Sequence, residues 1–552
     1  MASNGNGKEH HATFGELQKD RVLVIDFGSQ VSHLICRRVR EAGVYCELRS
    51  CLLTVKEIED FAPVGVILSG GPHSVYDSDA PHLKQEVWKL LDSKKLPVLG
   101  ICYGLQEMVF AHGGSVESGK KREFGNASLL VNRDPPKAEA SPAKKPCTGS
   151  PLFRDIEGRV QVWMSHGDKV TKIPSGFHPI AHTDNCEFAA VEDRSRQMWG
   201  VQFHPEVTHT PCGAKLIRNF VIDLCGCHGT WNMHDFAQAE IDVILSKLGK
   251  KYVVGAVSGG VDSSVAAALV HKAIGDHFKP FMVDTGLLRK GESVGVKKRL
   301  EEHIPGLKLK VIDARKEFYT KLAGVSEPEK KRKIIGGLFI DCFERAVHEM
   351  GVKPEDCYLL QGTLYPDVIE STSYRGPSTV IKTHHNVGGL PARMKMELLE
   401  PLRLLFKDEV RNLGRELGLA EESVARHPFP GPGLGIRIIG EVCAATADTL
   451  READAIYLEE LRKADLYNKI GQAFAVLLPT VRSVGVMGDH RTYENVCVLR
   501  AVTTTDFMTA DWFDMPREVL AKISNRIINE VKGINRVCYD VSSKPPATIE
   551  WE

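Results

Sequence analysis

Short apolar runs closed by glycine recur through the first two hundred residues. Residues 21–27 (RVLVIDF) end at Gly28, residues 65–68 run into Ser69-Gly70-Gly71-Pro72, and residues 96–101 (LPVLGI) lead to Cys102. Runs of this length without polar alternation predict strands buried on both faces of a sheet. Residues 30–42 and 82–91 between them carry helical spacing, and strands alternating with helices predict a mostly parallel sheet. Residues 134–151 (DPPKAEASPAKKPCTGSP) hold five prolines and three lysines without apolar periodicity, which predicts an exposed insertion loop.

A second series starts near Trp231. Residues 237–248 and 263–273 have helical spacing, and 252–257 (YVVGAV), 280–283 and 308–312 read as strands. Residues 427–435 (HPFPGPGLG), with three prolines and three glycines, predict a rigid linker. Beyond them, 436–439, 483–487, 495–501 and 537–541 read as strands of a smaller α+β unit. The organisation expected is a flexible leader over 1–20, two parallel-sheet α/β domains over 21–225 and 226–426, and an α+β domain over 427–552.

Composition narrows the function classes. Lys plus Arg total 71 and Asp plus Glu total 71, so the formal net charge is zero. That balance speaks against a protein built to hold nucleic acid or an anionic membrane. No apolar run reaches the ~20 residues of a membrane span, and residues 1–20 lack a signal-peptide core. Fourteen cysteines form no CxxC pair, a pattern expected of reduced thiols in the cytosol. Cys225, Cys227 and His228 have the wrong spacing for zinc.

Chemistry enters at Gly100-Ile101-Cys102-Tyr103-Gly104-Leu105-Gln106, where a buried strand meets a helix. Such an elbow lifts Cys102 above the carboxyl edge of the sheet, and the helix start favours its thiolate. Further on, Gly200-Val201-Gln202-Phe203-His204-Pro205-Glu206 puts His204 and Glu206 on one side if extended. Glu206 then orients the imidazole while His204 exchanges a proton with Cys102. The backbone N–H groups of Gly71 and Tyr103 supply two oxyanion donors. These strings, with LSGGPHSVYD, resemble the class I glutamine amidotransferases. The resemblance implies a flavodoxin-like domain in which Cys102, His204 and Glu206 release ammonia from glutamine.

Ser258-Gly259-Gly260-Val261-Asp262-Ser263-Ser264 follows a strand and opens a helix, so its amides and hydroxyls make an anion site. Asp262 adds a carboxylate suited to Mg²⁺, and the Gly-Lys-Ser/Thr ending of a Walker A loop is absent. SGGVDSS resembles the loop of the PP-loop ATP pyrophosphatases, an adenine-nucleotide α-hydrolase-like fold, which cleave ATP to AMP and pyrophosphate. Residues 281–289 (FMVDTGLLR) then border the adenosine pocket. Asp367 and Glu370 bring carboxylates, and Lys382, His384 and His385 bring further polar groups. The adjacent histidines diverge too much to suit zinc.

The last residues, Lys544-Pro545-Pro546-Ala547-Thr548-Ile549-Glu550-Trp551-Glu552, with EPEKKRKIIGG and HPFPGPGLGIR, resemble the GMP synthetases from about Arg21 to Glu552. The resemblance implies XMP as acceptor, ATP and glutamine as the other substrates, Mg²⁺ with ATP and no organic cofactor. It also implies a homodimer through the C-terminal domain. Lys544 would hold the XMP phosphate and Glu550 its polar groups, with Arg332 as a clamp in a lid segment over 327–333, a flexible stretch over 330–337 beside the nucleotide site, and Asp454 as a further contact. The KKRK run also suits a plain solvated helix face. Other PP-loop amidations, such as NAD synthesis or tRNA thiolation, are the rival enzymes. A regulatory protein with dead sites is the non-enzymatic rival, against which the intact Cys102, His204 and Glu206 count.

Overall fold

Valine, leucine and isoleucine fill both faces of Arg21–Asp26, Gly65–Leu68 and Val98–Ile101, and these segments form the parallel centre of a nine-stranded sheet. The structure, a computed structural model, describes residues 13–132, 149–371, 396–487, 490–504, 507 and 509–552. The parallel part runs in the order Tyr45–Ser50, Arg21–Asp26, Gly65–Leu68, Val98–Ile101, Met198–Val201. By chain order this is 2-1-3-4-5, the flavodoxin-like arrangement. Four strands then extend the sheet antiparallel: Ala190–Asp193, His178–His182, Ser115–Val131 and Arg159–Lys172. Ser115–Val131 and Arg159–Lys172 alternate buried and more exposed positions, as strands open to solvent on one face do.

A second, five-stranded sheet is parallel throughout, ordered Lys310–Asp313, Phe278–Asp284, Tyr252–Ala256, Cys357–Leu360, Glu397–Leu399. This 3-2-1-4-5 order reverses beside Tyr252–Ala256, the strand that runs into Ser258. A third sheet pairs Gln472–Met487 antiparallel with His490–Thr503, which also carries Ile534–Tyr539 in parallel. Helices Ala444–Lys463 and Arg517–Glu530 bury apolar side chains against it.

The chain divides into two compact units, one reaching Ala239 and one beginning at Glu240. Within the second, a single core runs from Val254 and Phe281 through Leu434 and Leu450 to Ile534. The partition expected at 426/427 therefore separates two sheets that share one core.

Four expectations need correction. The leader ends earlier than residue 20, because Thr13 caps helix Phe14–Leu17, Phe14 packs edge-on to Phe236 and Asp20 bonds His228 at 2.7 Å. The proline-rich linker is part of the core, with Leu434 and Ile436 fully buried. The strand expected over 436–439 does not form: Ile436 ends the 3-10 turn Gly433–Ile436, and Ile438 makes only a bridge to Leu477. The lid over 330–337 lies inside the 22-residue helix Pro328–Glu349, whose N-cap Glu327 accepts from the N–H groups of Glu329 and Lys330. Ile335 and Leu338 anchor that helix in the core, which offsets the poor helix propensity of Gly336 and Gly337. Most of the insertion loop, residues 133–148, lies outside the described residues.

Candidate active site

Cys102 occupies a backbone conformation that side chains rarely adopt, with φ +52° and ψ −105°, between Val98–Ile101 and helix Tyr103–Ala111. Its N–H bonds the Val201 carbonyl at 2.8 Å, which ties the elbow to the neighbouring strand. Glycine makes this turn possible at two places. A Cβ at Gly100 would lie 2.6 Å from the Gly104 carbonyl oxygen, and one at Gly104 would lie 2.4 Å from that of Leu68. Backbone strain held by such over-determined packing is a mark of functional positions.

His204 follows Met198–Val201, the parallel strand next to the elbow. Its Nδ1 is 2.7 Å from Glu206 Oε1, and Glu206 is wholly buried. The loop is pinned where His204 N–H donates to the Trp163 carbonyl at 2.9 Å and Thr210 Oγ1 donates to the His204 carbonyl at 2.7 Å. Burial disfavours the charged imidazole, but the Glu206 carboxylate and the Cys102 sulfur outweigh it and hold the His204 pKa well above its usual value. Gly70 closes the same space: a Cβ there would meet His204 Cε1 at 3.3 Å and Cys102 Cβ at 3.8 Å. Gly71 packs against Phe27 and the Tyr103 ring, where a Cβ would fall 2.9 Å from the Phe27 carbonyl oxygen. The predicted nucleophile, base, carboxylate and glycine turn thus share one sheet edge. Gln202 and Ser165, which the sequence reading passed over, also reach Cys102.

The loop from Ser258 to Ser264 leaves the second sheet at its switch point. Gly259 has φ +77°, Gly260 is the N-cap of helix Val261–Ile274, and Ser258 and Ser263 hydroxyls bond at 3.0 Å. Arg426 donates to the Gly259 carbonyl at 3.0 Å and pairs with Glu292, so the loop is braced from behind. Asp262 is paired by Lys407 at 2.5 and 2.6 Å, a partner far along the chain that sequence spacing does not reveal. A cavity of about 1010 Å³ opens at the end of the neighbouring strand Phe278–Asp284, lined by Asp284, Gly286, Arg289, Asp313, Tyr319 and Arg451 among others. Its floor is the carboxyl edge predicted to border adenosine. Asp367 accepts from the Leu364 N–H at 2.9 Å at the start of helix Tyr365–Ser371. Lys382, His384 and His385 lie outside the described residues, and so does the side chain of Glu370.

The C-terminal tail is held by arginine and lysine. Arg437, fully buried, forks onto Glu550 at 2.8 and 3.1 Å, and Gln472 adds a bond at 2.7 Å. Lys331, also fully buried, bonds the Ile438 carbonyl at 2.7 Å and Glu552 at 2.6 Å, while Arg332 donates to the Glu552 main-chain oxygen. Arg500 takes three tail carbonyls, from Ser542, Thr548 and Ile549. Lys544 is turned elsewhere, onto the Phe507 carbonyl at 2.7 Å. Asp454 is buried, accepts from Ala475 N–H at 3.1 Å and pairs with Arg289 at 3.2 Å. The Phe429 ring lies under both Arg289 and Arg437, so Asp454 connects to Glu550 through two guanidiniums. The solvated-face reading of KKRK fails at Lys331. Arg437 is the last residue of the string HPFPGPGLGIR, which is the signal for it in the sequence.

Comparison with known proteins agrees with both halves. The family described as glutamine amidotransferase class-I matches residues 23–224, and the GMP synthase C terminal domain matches residues 459–551. GMP synthase [glutamine-hydrolyzing] of Eremothecium gossypii is 53% identical over 97% of this chain and 98% of its own. That of Chlorobaculum tepidum is 53% identical over 96% and 99%, and that of Rhizobium etli 54% over 97% and 99%. With that identity across nearly the whole length of each partner, the chain belongs to the glutamine-hydrolysing GMP synthase family, ligases that use glutamine and ATP to convert XMP to GMP.

Proposed function

We propose that Cys102, His204 and Glu206 carry the glutamine hydrolysis. The observation that bears most on this is Cys102 on its strained elbow beside a His204 whose charge Glu206 stabilises. The Cys102 thiolate attacks the amide carbon of glutamine, and the Gly71 and Tyr103 N–H groups hold the oxyanion. His204, as imidazolium, gives its proton to the leaving nitrogen, and ammonia departs. His204 then takes a proton from water, which attacks the thioester and releases glutamate. Mass spectrometry of enzyme quenched during turnover is expected to find a glutamyl adduct on Cys102. Its absence, with glutamine turnover undiminished in Cys102→Ala, would overturn the assignment.

The residues from Ser258 to Ser264 are assigned to ATP phosphates, with Lys382 carried from the family resemblance. Loop amides at a helix N-terminus beside a switch point support this. XMP attacks the α-phosphorus through its 2-oxygen, pyrophosphate leaves, and ammonia then displaces AMP from the adenylated base. Asp262 fits a Mg²⁺ arriving with ATP, since a hard carboxylate already balanced by Lys407 can exchange one cation for another. Bound there, the ion would neutralise phosphate charge. Arg332, Lys544 and Glu550 are assigned to XMP on the family resemblance, which requires Lys544 to leave the Phe507 carbonyl, and Asp454 acts through Arg289.

We assign an amidotransferase domain over 21–225, and a PP-loop part over 226–426 and a dimerisation and XMP part over 427–552 that share one core. Exposed Val484, Val486 and Tyr493 on the third sheet support a homodimer there. Cytosolic residence is supported by the absence of any disulfide between described cysteines. Among the described residues no helix is long and apolar enough to cross a membrane.

A further inference from the structure

Gln202 is wholly buried between the strand Met198–Val201 and His204, and the hydrolysis described above gives it no task. Its Nε2 lies 3.7 Å from Cys102 Sγ. The two ends of an amide side chain are distinguished by their partners. Here Gln106, in the helix behind the elbow, makes the distinction. Gln106 Nε2 sits 3.1 Å from the main-chain oxygen of Asp168, which can only accept, so the donor end of Gln106 is fixed. The same nitrogen is 3.3 Å from Gln202 Oε1, and that leaves the NH₂ end of Gln202 facing sulfur. Asp168 is itself clamped, its carboxylate accepting from the hydroxyls of Ser74 and Tyr76.

Cys102 Sγ has a second neighbour, the Ser165 carbonyl at 3.8 Å. A thiol can donate to that oxygen, whereas a thiolate can only accept. The two contacts therefore serve opposite protonation states of one sulfur.

We infer that Gln202 is a positioning residue for Cys102: its amide N–H, aimed by Gln106, holds the sulfur and stabilises the attacking thiolate. The inference rests on Cys102 being the nucleophile. Gln202 touches no reacting bond, so its effect passes through sulfur reactivity and leaves the binding of glutamine little changed.

The test uses the full chain and three variants, Gln202→Leu, Gln106→Glu and Cys102→Ala. Gln202→Leu removes the donor at similar bulk. Gln106→Glu turns the aiming donor into an acceptor, which drives the Gln202 amide to rotate its oxygen toward sulfur. The readouts are the rate of Cys102 alkylation by iodoacetamide, kcat and KM for glutamine, and GMP formation from ammonium. Gln202→Leu should slow both alkylation and the glutamine-dependent kcat by roughly tenfold or more, the scale of one lost hydrogen bond to a charge. KM for glutamine should change little, and the ammonium reaction should stay at the wild-type rate. Gln106→Glu should slow alkylation too, although residue 106 does not contact the sulfur. Wild-type alkylation in both variants would overturn the inference, and so would a loss shared equally by the ammonium reaction. If Cys102→Ala abolishes glutamine use while the Gln variants behave as wild type, only this inference fails. If Cys102→Ala retains glutamine use, the nucleophile assignment fails and takes the inference with it.

Discussion

A methyl group is enough to test the elbow. Gly104→Ala would drive Cβ into the Leu68 carbonyl at 2.4 Å, and neither backbone can yield without moving the helix that carries Cys102. We expect a stability loss of about 1–3 kcal/mol, the range for overpacking, seen as a lower denaturant midpoint. Glutamine use should fall further than stability alone explains, since the helix start and its N–H shift with it. At this scale the sequence was informative where chemistry sits beside a strand end. Cys102, His204 and Glu206 were legible because each follows a short apolar run and has few bland explanations once taken together. Gln202, Lys407 and Arg426 were not, because no familiar division of catalytic roles pairs them with the distant partner each contacts. No local pattern records such pairings.

At the scale of elements, the tail and helix Pro328–Glu349 form one device. Lys331→Met removes the cation that fixes Glu552 and the Ile438 carbonyl. Because the tail can swing to solvent, we expect its release to raise KM for XMP several-fold, on the order of one lost charged hydrogen bond, with KM for glutamine unchanged. Steady-state kinetics in each substrate checks this. The segment 427–436 gives a second prediction. His427 stacks on Tyr467 and accepts from Ala473 N–H, and burial chiefly, with Arg289 nearby, lowers its pKa to about 4. An unfolded chain protonates this group near 6.5. Between those values the unfolded state holds more protons, so stability falls as pH drops from about 6.5 to about 4, by at most ~3 kcal/mol. Urea titrations across that range should show the fall, and His427→Gln should flatten it. The proline and glycine content of this segment announced a break in periodicity. It could not announce burial, because part of the packing on the turn Gly433–Ile436 comes from helix Pro328–Glu349, far back in the chain. The same limit explains the lid: KKRKIIGG ends in two glycines, and the Glu327 cap with the packing of Ile335 and Leu338 keeps it helical.

For the whole molecule, two sheets each present chemistry at their carboxyl edges, one with a thiol and one with an anion loop at a switch point. Their strand runs were the most legible part of the sequence, since fully buried parallel strands leave continuous apolar segments. The shared core of the second unit was hidden, because apolar periodicity reports that a face is buried and not which element buries it. The central claim is that glutamine hydrolysis and XMP amination are separate chemistries carried by one chain. The most direct test measures GMP and AMP formed from XMP and Mg·ATP by wild type and by Cys102→Ala, with glutamine or ammonium as nitrogen source. The account predicts that the variant loses the glutamine reaction and keeps the ammonium reaction at the wild-type rate. Glutamine-driven GMP formation that survives in Cys102→Ala would contradict it.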